Sequence, residues 1–179
     1  NTGATVAEGG SDTIATAMLQ ATDDFDAVDS VTYTLTGTNG LTVYRDGVDL
    51  GSNGTFTQKD IDDGLITFEH DGGESAGSFT FVLSQGSGLT DSVPHTFDVT
   101  TTPVNDAPVI TLPAGSTVSG TEDTVFNLTS TYLTVSDADA GTNPVVVTIT
   151  SIDGTLGSIG TTTDVTVGST ANGLTLTGT

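Results

Sequence analysis

Apolar side chains occupy every second position of Val31-Thr32-Tyr33-Thr34-Leu35-Thr36, and a matching strand-like run returns as Val145-Val146-Val147-Thr148-Ile149-Thr150. A period of two buries one face of a pleated strand and exposes the other, so the first run is half-buried sheet with a threonine ladder outside. Sliding the chain on itself at the offset of these two runs also places Glu8 on Glu122, Asp23 on Asp137 and Asn39-Gly40 on Asp153-Gly154. One domain is therefore present in two copies.

Strand-like runs separated by turn dipeptides fill the rest of the chain, and no window sustains helical spacing beyond two turns. Strands are predicted over 14–20, 31–36, 65–69, 78–83, 96–101, 125–129 and 145–149. Tight turns are predicted at Asn39-Gly40, Asp46-Gly47, Asn53-Gly54, Asp63-Gly64, Asp71-Gly72, Asp153-Gly154 and Asn172-Gly173, where glycine supplies a positive φ. Alternating strands with such turns and almost no helix predict an all-β fold of two packed sheets.

The 179 residues carry 23 acidic side chains against Lys59 and Arg45 alone, a formal charge of -21, which excludes a nucleic-acid partner because phosphate binding needs a surplus of cations. Threonine and valine make the composition that of a β-rich globular chain rather than an acidic disordered tail. The absence of cysteine removes disulfides, thiolate zinc sites and a cysteine nucleophile. Apolar stretches run only a few residues, too short for a membrane-spanning helix, so no membrane insertion is expected. Beginning at Asn1 without an initiator Met or signal peptide, the chain reads as a piece of a longer exported protein, extracellular, secreted or displayed on a cell surface.

The boundary between the copies falls at Pro103-Val104-Asn105-Asp106-Ala107-Pro108, where two prolines bracket a short polar stretch. The expected organisation is a first repeat over 1–102, a stiff, extended linker over 103–108 that sets the copies end to end, and a second repeat over 109–179. The second copy lacks counterparts to 59–101 of the first, and so reads as truncated, with sheet edges left open.

Acids gather at predicted strand ends and loops: Glu8; Asp23, Asp24, Asp26 and Asp29; Glu69, Asp71 and Glu74 around a Gly-Gly turn; Asn105 and Asp106 in the linker; Asp137 and Asp139 as a D-x-D loop. Two carboxylates about 4 Å apart repel by roughly 4 kcal/mol at an effective dielectric near 20. With almost no protein cation to relieve them, hard oxygen clusters favour Ca²⁺, which takes six to eight oxygens, over Mg²⁺, which keeps its waters. The plain alternative is that a surface of this charge keeps a secreted protein soluble and monomeric. Each Asp taken alone is also a common turn residue.

The linker Pro103-Val104-Asn105-Asp106-Ala107-Pro108, the loop Asp137-Ala138-Asp139-Ala140-Gly141 and the stretch Phe56-Thr57-Gln58-Lys59-Asp60-Ile61-Asp62-Asp63-Gly64, followed by Phe68-Glu69-His70-Asp71-Gly72, carry a resemblance over essentially the whole chain. It resembles cadherin-like tandem repeats of large bacterial surface adhesins, and its first copy is most similar to the chondroitin-sulfate-proteoglycan type of repeat. The resemblance implies tandem cadherin-like, immunoglobulin-like Greek-key β-sandwiches of seven strands, with Ca²⁺ held between successive domains. It assigns Glu8, Glu69, Asp71, Asn105, Asp106, Asp137 and Asp139 to one interdomain site, and it turns Asp23 toward a preceding domain and Glu122 toward a following one. Pro103, Ala107, Phe25 and Gln85 stand where the cadherin pattern carries a ligand, which implies one or two ions held more weakly than in a fuller site.

The two histidines, His70 and His95, lie on different segments with no serine or cysteine in a nucleophile context, so no triad is expected. Glu69, Asp71 and Glu74 offer a carboxylate pair, but no Trp and only 3 Tyr leave little to form a sugar platform. Asn53-Gly54-Thr55 and Asn127-Leu128-Thr129 are sequons, meaningful only in a secreted eukaryotic chain. The function expected is that of a non-enzymatic, calcium-stabilised extender repeat that holds successive domains in a rod for cell adhesion or biofilm attachment. Its partners are then neighbouring repeats of the same polypeptide and a cell-surface protein or glycan. The alternative is a calcium-dependent glycan- or ligand-binding module, which places the ion on an exposed loop with open coordination positions.

Overall fold

A computed structural model describes residues 1–22, 31–86, 88–112, 119–125, 133–151, 165–170 and 173–178. Asp23 and Phe25, the strand expected over 125–129 beyond Val125, the Asn127 sequon, and the turns at Asp153-Gly154 and Asn172 lie outside the described residues. The chain divides into two compact units, Asn1–Val104 and Asn105–Thr179.

In the first unit the elements follow as β1 (Ala4–Ala7), β2 (Ser11–Thr13), β3 (Thr32–Asn39), β4 (Leu41–Arg45), β5 (Val48–Asp49), β6 (Thr55–Thr57), α1 (Gln58–Asp62), β7 (Ile66–His70), β8 (Gly77–Ser84) and β9 (Thr90–Thr102). They build one sheet in the order β1-β9-β8-β3-β6 and a second in the order β2-β7-β4-β5. The alternation read from the sequence holds in β3, where Tyr33 and Leu35 are buried between less buried threonines. Inward residues of both sheets meet in one core that includes Tyr33, Leu35, Phe79, Phe81 and Phe97 from the first and Leu41, Val43, Ile66 and Phe68 from the second. Phe79 stacks on Phe97 with centroids 5.0 Å apart, and Phe68 reaches Phe97 from the opposite sheet at 6.4 Å. Such ring pairs add about 0.5–1.5 kcal/mol each beyond the area they bury, which favours this register of the sheets over a slipped one.

One local expectation is corrected. The strand predicted over 14–20 is instead a tight turn, with the N–H groups of Met18 and Leu19 both donating to the Ala15 carbonyl. Ile14 and Leu19 are the buried residues there, and their spacing of five is odd, so a strand would have pointed them to opposite faces. Helix is nearly absent, as expected; among the described residues it is α1, five residues long and seeded by a capping box in which Thr57 and Asp60 satisfy each other's backbone N–H. The first-strand position is also divided: β1 joins one sheet and β2 the other.

The pairing of β1 with β9 is parallel, Ala4 opposite Val99 and Ala7 opposite Thr102. Chain start and chain exit of this unit therefore lie at opposite ends of the sandwich, here called proximal (Asn1) and distal (Val104). Gln58 closes the proximal end, accepting from the Tyr33 hydroxyl at 2.6 Å and the Ala21 N–H at 2.8 Å. Pro94 interrupts β9 where the ladder to β8 shifts register between Phe81 and Leu83 and where β1 does not reach, the kind of place a strand tolerates a missing N–H.

In the second unit, β10 (Val109–Thr111) pairs with β11 (Thr134–Ser136), and β12 (Val145–Thr150), β13 (Val165–Thr170) and β14 (Gly173–Gly178) form a sheet in the order β12-β14-β13. The predicted run at 145–149 is β12, antiparallel to β14 with Val145 opposite Gly178. Among the described residues no helix is long and apolar enough to cross a membrane.

Candidate metal centre

The distal end of the first unit is where two acid-bearing segments meet the exit strand. Glu8 follows β1, and its N–H donates to the Thr102 carbonyl at 3.0 Å, extending the parallel ladder by one residue. Its Oε2 accepts from the Val104 N–H at 3.1 Å, while Oε1 is buried and accepts no hydrogen bond. A buried carboxylate oxygen without a donor is costly, and a cation is the usual relief. Glu74, in the turn after β7, brings a carboxylate oxygen within 4.8 Å of Glu8's.

Both strong bases of the chain hold acids elsewhere in the first unit. Arg45 binds Asp60 at 2.8 Å and Lys59 binds Asp63 at 2.9 Å, both around α1. Burial pushes the Asp60 carboxyl up, but hydrogen bonds from Thr57 and the Arg45 guanidinium outweigh it and hold it below the ordinary carboxylate range. Asp62 is likewise held low by hydrogen bonds from the Thr16 hydroxyl and the Gln58 amide.

The other first-unit residues expected to bind metal are placed differently from Glu8. Glu69 lies in β7 between buried Phe68 and His70, so its side chain leaves the outer face of the sheet, where the Tyr44 hydroxyl donates to it at 3.2 Å. Asp71 caps its own turn, accepting from the Gly73 N–H at 2.9 Å, and lies 3.8 Å from the His70 ring. Glu74 was visible in the sequence as an acid beside the Gly72-Gly73 turn, yet it stood outside the expected ligand set. The signal for it was the turn itself, which reverses the chain between β7 and β8 at the distal end.

In the second unit Asn105, Asp137 and Asp139 line one hollow of about 230 Å³ together with Pro108, Ala140, Asn143 and Pro144. The D-x-D loop is closed by Asp137, whose Oδ1 accepts from the N–H of Asp139 at 3.0 Å and of Ala140 at 2.9 Å. The Asp139 carboxylate accepts from the Asp106 N–H, and the Asn105 amide donates to the Asp106 carbonyl at 2.9 Å. Four of the expected ligands thus belong to one local framework within this unit. Glu122 is exposed and lies in a turn.

The donors in both units are carboxylate and amide oxygens with no sulfur. In each unit such hard oxygen donors, with the orphaned Glu8 Oε1 in the first, suit a hard divalent cation such as Ca²⁺.

The family described as Cadherin-like matches residues 1–101, more than half of the chain. The chain belongs to the cadherin-like family. Its cadherin-like domain has the all-β sandwich described above, and domains of this family generally bind calcium, in keeping with the acidic pair at its distal end. A cadherin-like domain also fits a surface or extracellular repeat. A solved structure described as the S-layer protein SbsC, domains 5-6, is similar over 99% of this chain and 80% of its own length, at 14% identity and a TM-score of 0.27. No curated protein matches this cadherin-like chain.

Proposed function

We propose that the chain is a calcium-stabilised extender repeat of an extracellular or cell-surface protein, holding successive domains in a stiff rod for cell adhesion or biofilm attachment. The observation that carries the reading is Glu8 Oε1, buried without a donor at the end where the chain leaves the first sandwich. Parallel β1 and β9 support it, because a module whose start and exit lie at opposite ends lengthens a chain with each copy. A cation at the exit would relieve the repulsion between Glu8 and Glu74 and tie the exit strand to both, so its binding free energy would add to folding free energy.

Glu8 and Glu74 are the residues that would hold Ca²⁺ in the first unit, and Asn105, Asp106, Asp137 and Asp139 are those that would hold it in the second. Glu69 and Asp71 would act at the margin of that set. The F-T-Q-x-D-I-D-x-G stretch supports reading the first repeat as the chondroitin-sulfate-proteoglycan type. The role is non-enzymatic, with neighbouring repeats and a cell-surface protein or glycan as partners.

The test is small-angle scattering and thermal melting of the whole chain in calcium, magnesium and EDTA. Calcium is expected to raise the melting temperature and narrow the distribution of end-to-end distances, with magnesium doing much less. Identical profiles and melting in calcium and EDTA would overturn the reading. Calcium-dependent retention on glycan surfaces without any stiffening would favour the ligand-binding alternative.

A further inference from the structure

His70 ends β7 with a side chain wholly buried, although an imidazole is polar at both nitrogens. Its Nδ1 accepts from the N–H of Gly9 at 3.4 Å and of Gly72 at 3.2 Å, so Nδ1 carries no proton and the ring is the Nε2–H tautomer. Its Nε2 lies 2.8 Å from the Ser75 carbonyl, to which it donates, and 3.1 Å from the Thr101 hydroxyl. One ring thereby fastens three segments that are distant in sequence.

Each fastening point lies next to an acid or to the strand the acid holds. Gly9 directly follows Glu8. Gly72 and Ser75 bracket the turn that carries Glu74, and Gly72 also follows Asp71. Thr101 precedes Thr102, whose carbonyl receives the Glu8 N–H. Gly9 and Gly72 both have positive φ, 63° and 83°, a region that glycine enters and leaves at little cost, so the ring adds a restraint where the backbone is most free. Backbone bonds at the same corner, from the His70 N–H to the Gly10 carbonyl and from the Asp71 N–H to the Gly40 carbonyl, set the ring's own position.

We propose that His70 is the positioning residue of the calcium-binding end: its ring fixes the backbone next to Glu8 and on both sides of Glu74 so that their oxygens are held together before the ion arrives. The proposal rests on the calcium reading above and adds to it the device that preorganises the site. Groups that orient metal ligands typically change affinity by about 10- to 100-fold when removed.

The test uses the whole chain with four substitutions. His70→Phe keeps the ring's bulk and removes both nitrogens. His70→Asn places an oxygen near the position of Nδ1, and His70→Gln places an amide near Nε2 without an acceptor for Gly9 and Gly72. Gln58→Leu is a destabilising control at the proximal end. Calcium affinity is measured by calorimetry well below each melting point, and exchange of the Gly9 and Gly72 amide protons is followed in EDTA.

His70→Phe and His70→Gln are expected to weaken calcium binding by about 10-fold or more and to speed exchange at Gly9 and Gly72. His70→Asn is expected to restore most of both, and Gln58→Leu to change neither. The Asn and Gln variants decide the matter even where the Phe variant does not fold. Equal calcium affinity in His70→Asn and His70→Gln, or a loss in Gln58→Leu matching that in His70→Phe, would overturn the positioning role alone. A wild-type chain that takes up no calcium would remove the calcium reading and this proposal with it.

Discussion

Glu8 and Val104 are 96 residues apart in sequence and are joined by a 3.1 Å hydrogen bond, the Val104 N–H donating to Glu8 Oε2. The same glutamate holds Thr102 through its backbone, so one residue grips the exit strand at two successive outward positions. Glu8→Gln keeps an acceptor for Val104 and removes only the charge. In calcium it is expected to weaken ion binding about 10-fold, a loss of about 1.4 kcal/mol. In EDTA it is expected to be at least as stable as wild type, because the repulsion with Glu74 is gone. Asp49→Asn, whose oxygen still caps the Gly51 N–H, removes the same charge elsewhere and serves as control. Equal effects of the two on calorimetric affinity would point to diffuse screening instead of a site.

The capping box of α1 gives a pH dependence with a definite sign. Asp60 is held below the ordinary carboxylate range by Thr57 and Arg45, against the upward push of burial. Its contribution to stability is complete above the unfolded pKa of about 3.9 and is lost as pH falls through the lower folded value. Asp60→Asn is therefore expected to cost about 2 kcal/mol at pH 7 and pH 5 and progressively less below about pH 4. Urea unfolding of both chains across that range checks it, and a difference that does not shrink in acid would contradict the assignment. Relief of repulsion among the many carboxylates is common to both chains and cancels in the comparison.

Much of this arrangement was legible in the residues themselves. The alternation at 31–36 could satisfy only a half-buried strand, and β3 formed there with Tyr33 and Leu35 inward. What escaped was whatever depended on odd spacing or distant contact. Ile14 and Leu19 both had to reach the core, which a period of two forbids, and the chain solved this with a turn. The short α1 drew no reading of its own, because the Thr57–Asp60 reciprocity that starts it is a side-chain event. Glu69 and Glu74 flank the same glycines, and choosing between them needed the pleat of β7, which aims Glu69 at Tyr44. His70 was weighed only as a catalytic group. Its contacts at Gly9 and Thr101 are 61 and 31 residues away and leave no local pattern.

At the proximal end, Gln58 and Tyr33 predict an asymmetry. Tyr33→Phe removes one donor and leaves the Gln58 oxygen its bond from Ala21, a loss of about 1 kcal/mol. Gln58→Leu strands the Tyr33 hydroxyl and the Ala21 N–H at once and is expected to cost about 2–4 kcal/mol. Thermal melting of the two variants in EDTA separates them, with the larger drop expected for Gln58→Leu. The reverse order would mean that the Tyr33–Gln58 bond is not what closes this end.

Calcium placement is the most direct measurement of all, by anomalous scattering from crystals of the chain grown with the ion. The account predicts a peak about 2.3–2.6 Å from carboxylate oxygens of Glu8 and Glu74. Crystals saturated with calcium that show no peak there, or show it only on an exposed loop elsewhere, would contradict it.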